Sequence, residues 1–361
     1  MRVILTGGGT GGHIYPALSI AGSLKKIDSQ VEVLYIGSAD GLEGEIVPTS
    51  GFEFKSIKVS GFKRSLSFEN VKTVVRFLKS IKKSKAHIKA FKPDIVIGTG
   101  GYVCAPVVYA AAKLGVKTLI HEQNSLPGIT NKALGKYVDK VAVCFKEAGK
   151  YFPAHKVVLT GNPRATEVAN TLKVGKTALG LNSRKKTVII SGGSRGARPI
   201  NEAFISQIAA YEQADFEVVF VTGSTHYESI TAQIENVESL KNVQVRPFID
   251  NMPQFLVSVD LFVGRSGATF LSEITALGVP SILIPSPYVT ENHQEFNARS
   301  VTDYDGGVLI LERDLTGERL FTEISEILQD DARLKLMSSA SKALGIPDAS
   351  TRIIDIVNKL I

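Results

Sequence analysis

Residues 4–21 read ILTGGGTGGHIYPALSIA, and the same plan returns at residues 189–204 as IISGGSRGARPINEAF. Each copy is an apolar run that enters a glycine-rich turn and leaves it as a helical pattern, the opening unit of a parallel α/β sheet. Outward from the first copy, the short β-rich runs RVILT, VEVLYIG, DIVIGTG, KTLIHE and KVAVC alternate with helical segments. Outward from the second, TVIISGG, FEVVFVTG, NVQVRPF, DLFVGRSG and PSILIPSP do the same. The alternation predicts an α/β chain of two Rossmann-like domains. A length of 361 residues suits two cores.

The boundary is expected at Thr160 to Arg164 (TGNPR), because Asn-Pro interrupts regular structure and no strong period resumes before Thr187. The domains then run 1–161 and 162–347. After the break Gly345-Ile346-Pro347-Asp348, with Asp348 as N-cap, a last helix within 348–361 is expected to pack back on the first domain. Ligands of open α/β sheets bind beyond the carboxyl ends of the strands, so two such domains are expected to face each other across a cleft.

Composition narrows the class. The chain is 44% hydrophobic and 21% charged with no tryptophan, as in a densely packed globular protein. Cys104 and Cys144 sit in apolar contexts and read as core residues, which fits a reducing compartment. The apolar run after Arg2 is too short for a signal peptide, and no stretch approaches the roughly 20 apolar residues of a membrane span. Any membrane contact is therefore expected to be peripheral, on the cytoplasmic side.

Charge is concentrated. Between Lys55 and Lys92 there are 12 Lys and Arg against a single acidic residue, Glu69, in a chain whose total is +7. Phe68, Val71, Val74, Val75, Leu78 and Ile81 recur there at helical spacing, with Lys72, Arg76, Lys79, Lys82 and Lys83 mostly between them. Such a basic amphipathic helix either docks its stripe on a core or rests on an anionic bilayer. The segment lacks the interleaved aromatics of a nucleic-acid surface beyond Phe68 and Phe77, so nucleic acid is not expected as a partner.

The first loop contains G-x-G-x-x-G in Gly7, Gly9 and Gly12, between a strand and a helix. Glycines there admit a phosphate to the N–H groups and dipole of a helix start. A nicotinamide enzyme would also want an acidic residue closing the second strand, and that strand ends Tyr35-Ile36-Gly37-Ser38. Ser191 to Ala197 repeats the device with Ser194 and Arg195. Two such loops suggest two phosphorylated ligands, or a donor and an acceptor that each carry a diphosphate.

GGGTGGHIYPALSIA, GTGGYVCAPV, HEQNSLPGITNK, GNPR, GGSRGARPIN, GRSGATFLSEITALGVPSILIPSP and ENHQEFNA, in this order and spacing, resemble the MurG family along essentially the whole chain. The resemblance implies a GT-B glycosyltransferase fold. It also implies inverting transfer of N-acetylglucosamine from UDP-GlcNAc to the C4 hydroxyl of undecaprenyl-diphosphoryl-MurNAc-pentapeptide (lipid I), giving lipid II for cell-wall synthesis, with no cofactor or metal. Wall-synthesis proteins would be further partners. The alternatives are a glucosyl-diacylglycerol-type lipid glycosyltransferase, whose acceptor lacks a diphosphate, and a UDP-GlcNAc 2-epimerase, which needs no membrane surface.

Carried over by residue, the resemblance places Ser194 at the donor diphosphate, Phe248 and Ile249 at the uracil and Glu273 at the ribose. Ala268 and Thr269 open a helix toward the diphosphate or sugar, and Gln294 reads sugar hydroxyls. Thr10, Gly11, Gly12 and Asn124 are implied at the sugar and diphosphate, with His13, Tyr102 and Glu122 on the acceptor side. His13 has three open roles: general base, ligand of the acceptor diphosphate, or cap of its loop. Glu122 is the rival base or a backbone acceptor.

Two departures from the family pattern matter. Arg164 follows the proline directly, where many members have one residue between, and His293 precedes Gln294 where a second glutamine can stand. The string Asp303-Tyr304-Asp305 has the form of a metal-binding Asp-x-Asp but runs into Gly306-Gly307 and reads as a surface turn.

Overall fold

A computed structural model describes residues 1–59, 68–193 and 195–361, and the side chains of all of these except 68–72. By internal contacts the chain forms two units, Met1–Thr166 with Asp348–Ile361, and Glu167–Pro347.

In the first unit the strands are β1 (Arg2–Thr6), β2 (Glu32–Gly37), β3 (Glu53–Ser56), β4 (Ile95–Gly98), β5 (Lys117–Glu122), β6 (Lys140–Val143) and β7 (Val157–Leu159). They form a parallel sheet in the order β3-β2-β1-β4-β5-β6-β7, with Leu5 opposite Tyr35 on one side and Ile97 on the other. The helices are α1 (Gly11–Ile27), α2 (Glu43–Thr49), α3 (Phe68–Phe91), α4 (Cys104–Lys113) and α5 (Ile129–Leu134), and α6 (Pro163–Ala169) begins in this unit and ends in the second.

In the second unit β8 (Thr187–Ser191), β9 (Glu217–Val221), β10 (Val243–Arg246), β11 (Leu261–Gly264), β12 (Ser281–Leu283) and β13 (Gly307–Leu309) are ordered β10-β9-β8-β11-β12-β13, again parallel. Its helices are α7 (Arg198–Ile205), α8 (Ile208–Glu212), α9 (Tyr227–Thr231), α10 (Met252–Leu256), α11 (Ala268–Leu277), α12 (His293–Thr302), α13 (Gly317–Gln329) and α14 (Asp331–Leu344). A final helix, α15 (Ala349–Leu360), belongs to the first unit.

Strand alternation sends side chains to both faces of each sheet. Val3, Leu5 and Tyr35 join Ile14, Ile20 and Leu24 of α1 with Ile353 and Val357 of α15 in one core. Ile4, Leu34 and Ile36 point the other way, into Val103, Val107 and Val108. The apolar face of α15 is thus buried within the first unit, and Ser350 N donates to Thr166 Oγ1 at 3.0 Å. Asp348 stands at the start of α15 as expected, but its carboxylate takes Arg352 Nε at 2.9 Å instead of an N-terminal N–H. In the second unit Phe204 stacks on Tyr211 and Phe220 at 4.5 and 4.1 Å between ring centres.

The Asn162-Pro163 break is a helix start. Asn162 Oδ1 accepts from Arg164 N at 3.1 Å, and the proline, which has no N–H to satisfy, opens α6. Asp303 to Asp305 form the turn that ends α12, with Asp305 at φ +61°.

On α3 the expected stripe divides. Ile81 packs on the core, while Val74, Val75 and Leu78 are 45, 46 and 60% exposed. The buried face carries Thr73, Ser80, Ser84 and Ile88, and Ser80 Oγ donates to Lys58 O at 2.6 Å. Phe68 and Val71 have side chains outside the described set, and residues 63–67 of the basic segment lie outside the described residues.

Candidate functional site

In each sheet the chain reverses its winding between two central strands, β1 and β4 in one, β8 and β11 in the other. Loops leaving the carboxyl ends of such a pair diverge and leave a crevice, the general ligand position of open α/β sheets. Each of these four strands ends in a glycine-bearing loop.

In the first unit, Gly7 to Gly12 and Thr99 to Tyr102 are joined. Gly8 N donates to Gly100 O at 3.2 Å, Thr99 N to Thr6 O at 2.9 Å and Thr99 Oγ1 to His13 O at 2.8 Å. Gly101 has φ +82°, and a Cβ there would stand 2.2 Å from Gly8 O, so no other residue fits. From below, Tyr35 Oη donates to Gly7 O at 2.7 Å and Gly9 N donates to Glu43 Oε2 at 3.1 Å. The N–H groups of Gly11 and Gly12 open α1, where no helix carbonyl can receive them. Pro16 lacks the N–H that would close on Gly12 O, so this helix start presents an acceptor as well.

His13 lies on that first turn. Its Nδ1 is 3.0 Å from Gly8 O, which can only accept, so Nδ1 donates there and the neutral ring would carry its lone pair on Nε2. The ring lies against Gly100, where an added Cβ would stand 3.0 Å from Nε2 and 3.5 Å from Asn131 Nδ2. The Tyr102 ring reaches Gly9, and burial, then Glu43 and Asp40, raise its phenol pKa.

Glu122 ends β5 almost fully buried with both oxygens engaged. Oε1 accepts Asn124 N at 2.9 Å and Asn124 Nδ2 at 3.2 Å; Oε2 accepts Gly128 N at 3.2 Å and Asn131 Nδ2 at 2.8 Å. Burial raises its pKa and these donors work against that rise. The geometry is that of a clamp organising residues 124–131, and Asn124 is held by it.

In the second unit, Ser194 lies outside the described residues. Its loop is set by Gly193 at φ +91° and by Gly196, where a Cβ would stand 2.1 Å from Thr222 O. After β11, Arg265 pairs with Glu312 at 2.5 Å and donates to Ile284 O at 3.1 Å. Ser266 Oγ donates to Gln294 O at 2.7 Å, which ties the start of α11 to α12. Gly267 gives α11 no side-chain cap, and a helix start of this kind is a general position for an anion. Glu273 is buried on the same helix.

Ser286 N donates to Gln294 Oε1 at 2.9 Å, which fixes the orientation of the amide and leaves its NH₂ unused by that bond. His293 turns back to its own loop, with Nδ1 2.8 Å from Thr290 O. Phe248 is half exposed and Ile249 buried, in the segment that leads to α10, which packs on α11. Arg164 lies in the first turn of α6, its N–H donating to Asn162 Oδ1.

Sequence reading missed Glu43, Thr99, Asn131 and the Arg265–Glu312 pair. Glu43 and Thr99 act on the Gly7–His13 loop from far along the chain, and only the glycines left small around them signalled it. Among the described residues no three His, Cys, Asp or Glu are grouped to hold a metal ion. No helix there is long and apolar enough to cross a membrane.

Residues 3–143 match the glycosyltransferase family 28 N-terminal domain and residues 187–353 its C-terminal domain. The chain is 56% identical, over the full length of both, to the UDP-N-acetylglucosamine--N-acetylmuramyl-(pentapeptide) pyrophosphoryl-undecaprenol N-acetylglucosamine transferase 1 of Bacillus cereus. Among solved structures, MurG of Acinetobacter baumannii superposes with a TM-score of 0.81 at 26% identity, covering 99% of each chain. A UDP-GlcNAc 2-epimerase from Neisseria meningitidis, at 15% identity and a TM-score of 0.70 over 99% of this chain and 100% of its own, shares the fold. Full-length identity at that level, on a pair of glycosyltransferase family 28 domains, means that the chain belongs to the MurG family of glycosyltransferases.

Proposed function

We infer that the chain moves N-acetylglucosamine from UDP-GlcNAc to the C4 hydroxyl of undecaprenyl-diphosphoryl-MurNAc-pentapeptide, with inversion at the anomeric carbon. The observation that carries the reading to named residues is His13, held with Nδ1 on Gly8 O at a phosphate-type helix start. An α-linked donor and a β-linked product need one displacement. Nε2 of His13 takes the acceptor hydroxyl proton as that oxygen attacks, and UDP leaves. Glu122, wrapped by four donors, keeps the 124–131 loop in place and is not the base.

The first unit holds the acceptor, its diphosphate at the N–H groups of Thr10, Gly11 and Gly12, with Tyr102 and Asn124 beside it. The second unit holds the donor. Ser194 and the start of α11 at Ala268 and Thr269 meet the diphosphate, whose charge grows as the bond breaks and is met by N–H groups already aimed. Phe248 and Ile249 bracket the uracil, Glu273 takes the ribose hydroxyls and the Gln294 NH₂ donates to the sugar.

The acceptor is a lipid, and the face of α3 bearing Val74, Val75 and Leu78 among lysines is the peripheral contact with the cytoplasmic face of an anionic membrane.

The deciding experiment is transfer of radiolabelled N-acetylglucosamine to the lipid acceptor in detergent, with wild type, Glu273→Ala and His13→Ala side by side. Transfer by wild type, weakened donor affinity in the first variant and lost turnover in the second support the reading. No transfer by a chain that still binds UDP returns the choice to the glucosyl-lipid or epimerase chemistry.

A further inference from the structure

Glu43 begins α2, 30 residues beyond His13, and is fully buried. Its Oε2 accepts from Gly9 N at 3.1 Å and its Oε1 from Ser38 N at 3.0 Å. Glycines surround it for lack of room. A Cβ at Gly8 would stand 2.3 Å from Oε1, one at Gly41 2.5 Å from Oε2 and one at Gly37 2.7 Å from its Cγ. Among the described residues no cation pairs with it, and its two oxygens each accept from a backbone N–H.

Gly9 N–H and Gly8 C=O are the two ends of one peptide group. One end donates to Glu43; the other accepts from His13 Nδ1 at 3.0 Å. We propose that Glu43 is a positioning residue that acts on His13 through the Gly8–Gly9 peptide, fixing the imidazole in the tautomer and orientation of a base. A carboxylate drawing on the N–H polarises the amide and leaves more electron density on the carbonyl oxygen. That oxygen then holds Nδ1–H more firmly and favours the imidazolium formed when Nε2 takes a proton. In the Ser-His-Asp arrangement the carboxylate sits directly on the imidazole; here one peptide group stands between them. The proposal rests on the reading of His13 as the base.

The groups that the following contacts set beside His13 bring no second carboxylate to that peptide. Thr10 Oγ1 is 3.4 Å from Nδ1 and carries no charge, and Tyr15 on the same helix faces Gly11. From the Thr99–Tyr102 loop comes the Tyr102 phenol, which burial, Glu43 and Asp40 keep protonated. From α5 comes Asn131, beyond Gly100, engaged with Glu122. Tyr35 spends its hydroxyl on Gly7 O. Glu43 is the carboxylate whose bond ends on the peptide that His13 holds.

Glu43→Gln keeps the shape but faces its NH₂ toward one of two N–H donors; Glu43→Asp keeps the charge. The test compares both with wild type and His13→Ala in the full chain. It measures kcat and both KM values against pH, and the ¹⁵N shifts of the His13 imidazole, assigned by its loss in His13→Ala. The expected results are a wild-type Nδ1–H tautomer and, in Glu43→Gln, kcat down about tenfold or more, within the roughly 10²–10⁴-fold worth of a positioned base. The acid limb and the imidazole titration move together to lower pH, KM for UDP-GlcNAc is unchanged, and Glu43→Asp brings the limb back toward wild type. A wild-type Nε2–H tautomer overturns the proposal, as does a Glu43→Gln enzyme whose limb and imidazole titration stay put. If Glu43→Gln does not fold, the wild-type tautomer and the Glu43→Asp titration decide. Full turnover in His13→Ala removes the base reading itself, whereas a dead His13→Ala beside an unmoved Glu43→Gln removes the relay alone.

Discussion

His121 Nε2 lies 2.9 Å from the carbonyl oxygen of Gly161, with both residues buried, so the end of β5 is bonded to the segment that leads into α6. Nε2 donates there, and Nδ1 accepts from Gln123 Nε2 at 2.9 Å. The imidazole is therefore satisfied only when neutral, and burial pushes its pKa down to about 4.

A histidine that stays neutral in the fold and gains a proton when unfolded gives stability above its unfolded pKa of about 6.5, and that stability drains away as pH falls toward 4. About 2 kcal/mol should be lost between pH 7.5 and pH 5. Denaturant unfolding across that range measures it, and His121→Gln should flatten the slope. Buried Glu122, whose pKa is raised, contributes a slope of opposite sign, so the comparison with His121→Gln isolates the histidine. A wild-type curve equally steep in the variant refutes the assignment.

Periodicity made the parallel sheets and both glycine loops legible, because β-rich runs and positive-φ turns leave their mark within a few residues. What joins distant segments left almost none. Glu43 reaches Gly9 across 34 positions and Thr99 reaches His13 across 86. Closer in the chain, Asn124 and Asn131 close on Glu122 from a loop whose residues read as ordinary polar ones. Hydropathy alone also left the buried side of α3 open. That side is made of Thr73, Ser80 and Ser84, small polar residues that let the helix lie close, with Ile88 reaching the core, while Val74, Val75 and Leu78 remain outside.

The exposed side of α3 supports the second prediction. Because Val75 and Leu78 bury little, Val75→Glu with Leu78→Glu should leave thermal stability within about 0.5 kcal/mol of wild type. Binding to vesicles containing anionic lipid should fall at least tenfold, since the change removes apolar insertion and adds repulsion at once. Wild-type binding should also weaken with added salt. Cosedimentation with vesicles is the assay, and equal binding by the variant would exclude this face.

Gln294 gives a third. Its Oε1 serves Ser286 N, so Gln294→Glu preserves that bond while a charged oxygen replaces the NH₂. KM for UDP-GlcNAc should rise by at least about 5-fold, the loss of one hydrogen bond of about 1 kcal/mol with repulsion of the donor's diphosphate added to it, with the melting temperature held. Gln294→Ala also strips Ser286 N of its partner and should destabilise the second unit as well. Steady-state kinetics beside thermal melting separates the two effects; a Gln294→Glu enzyme with wild-type KM would show that the amide does not touch the sugar.

The turn that delivers Gln294 is strained. Glu291 and Asn292 are consecutive non-glycine residues at φ +54° and +52°, and Asn292 Nδ2 holds Glu295 Oε2 at 2.7 Å. Asparagine tolerates this left-handed conformation, whereas a β-branched side chain meets its own backbone there. Asn292→Val should therefore cost about 1–2 kcal/mol of stability and raise KM for UDP-GlcNAc, because Gln294 and the Ser266–Gln294 bond follow directly from the turn. Asn292→Gly, free of that clash, should keep donor affinity while losing the bond to Glu295. Unfolding curves and donor KM measured on both variants test the argument, since a valine variant as active as the glycine one would mean that the turn does not set the place of Gln294.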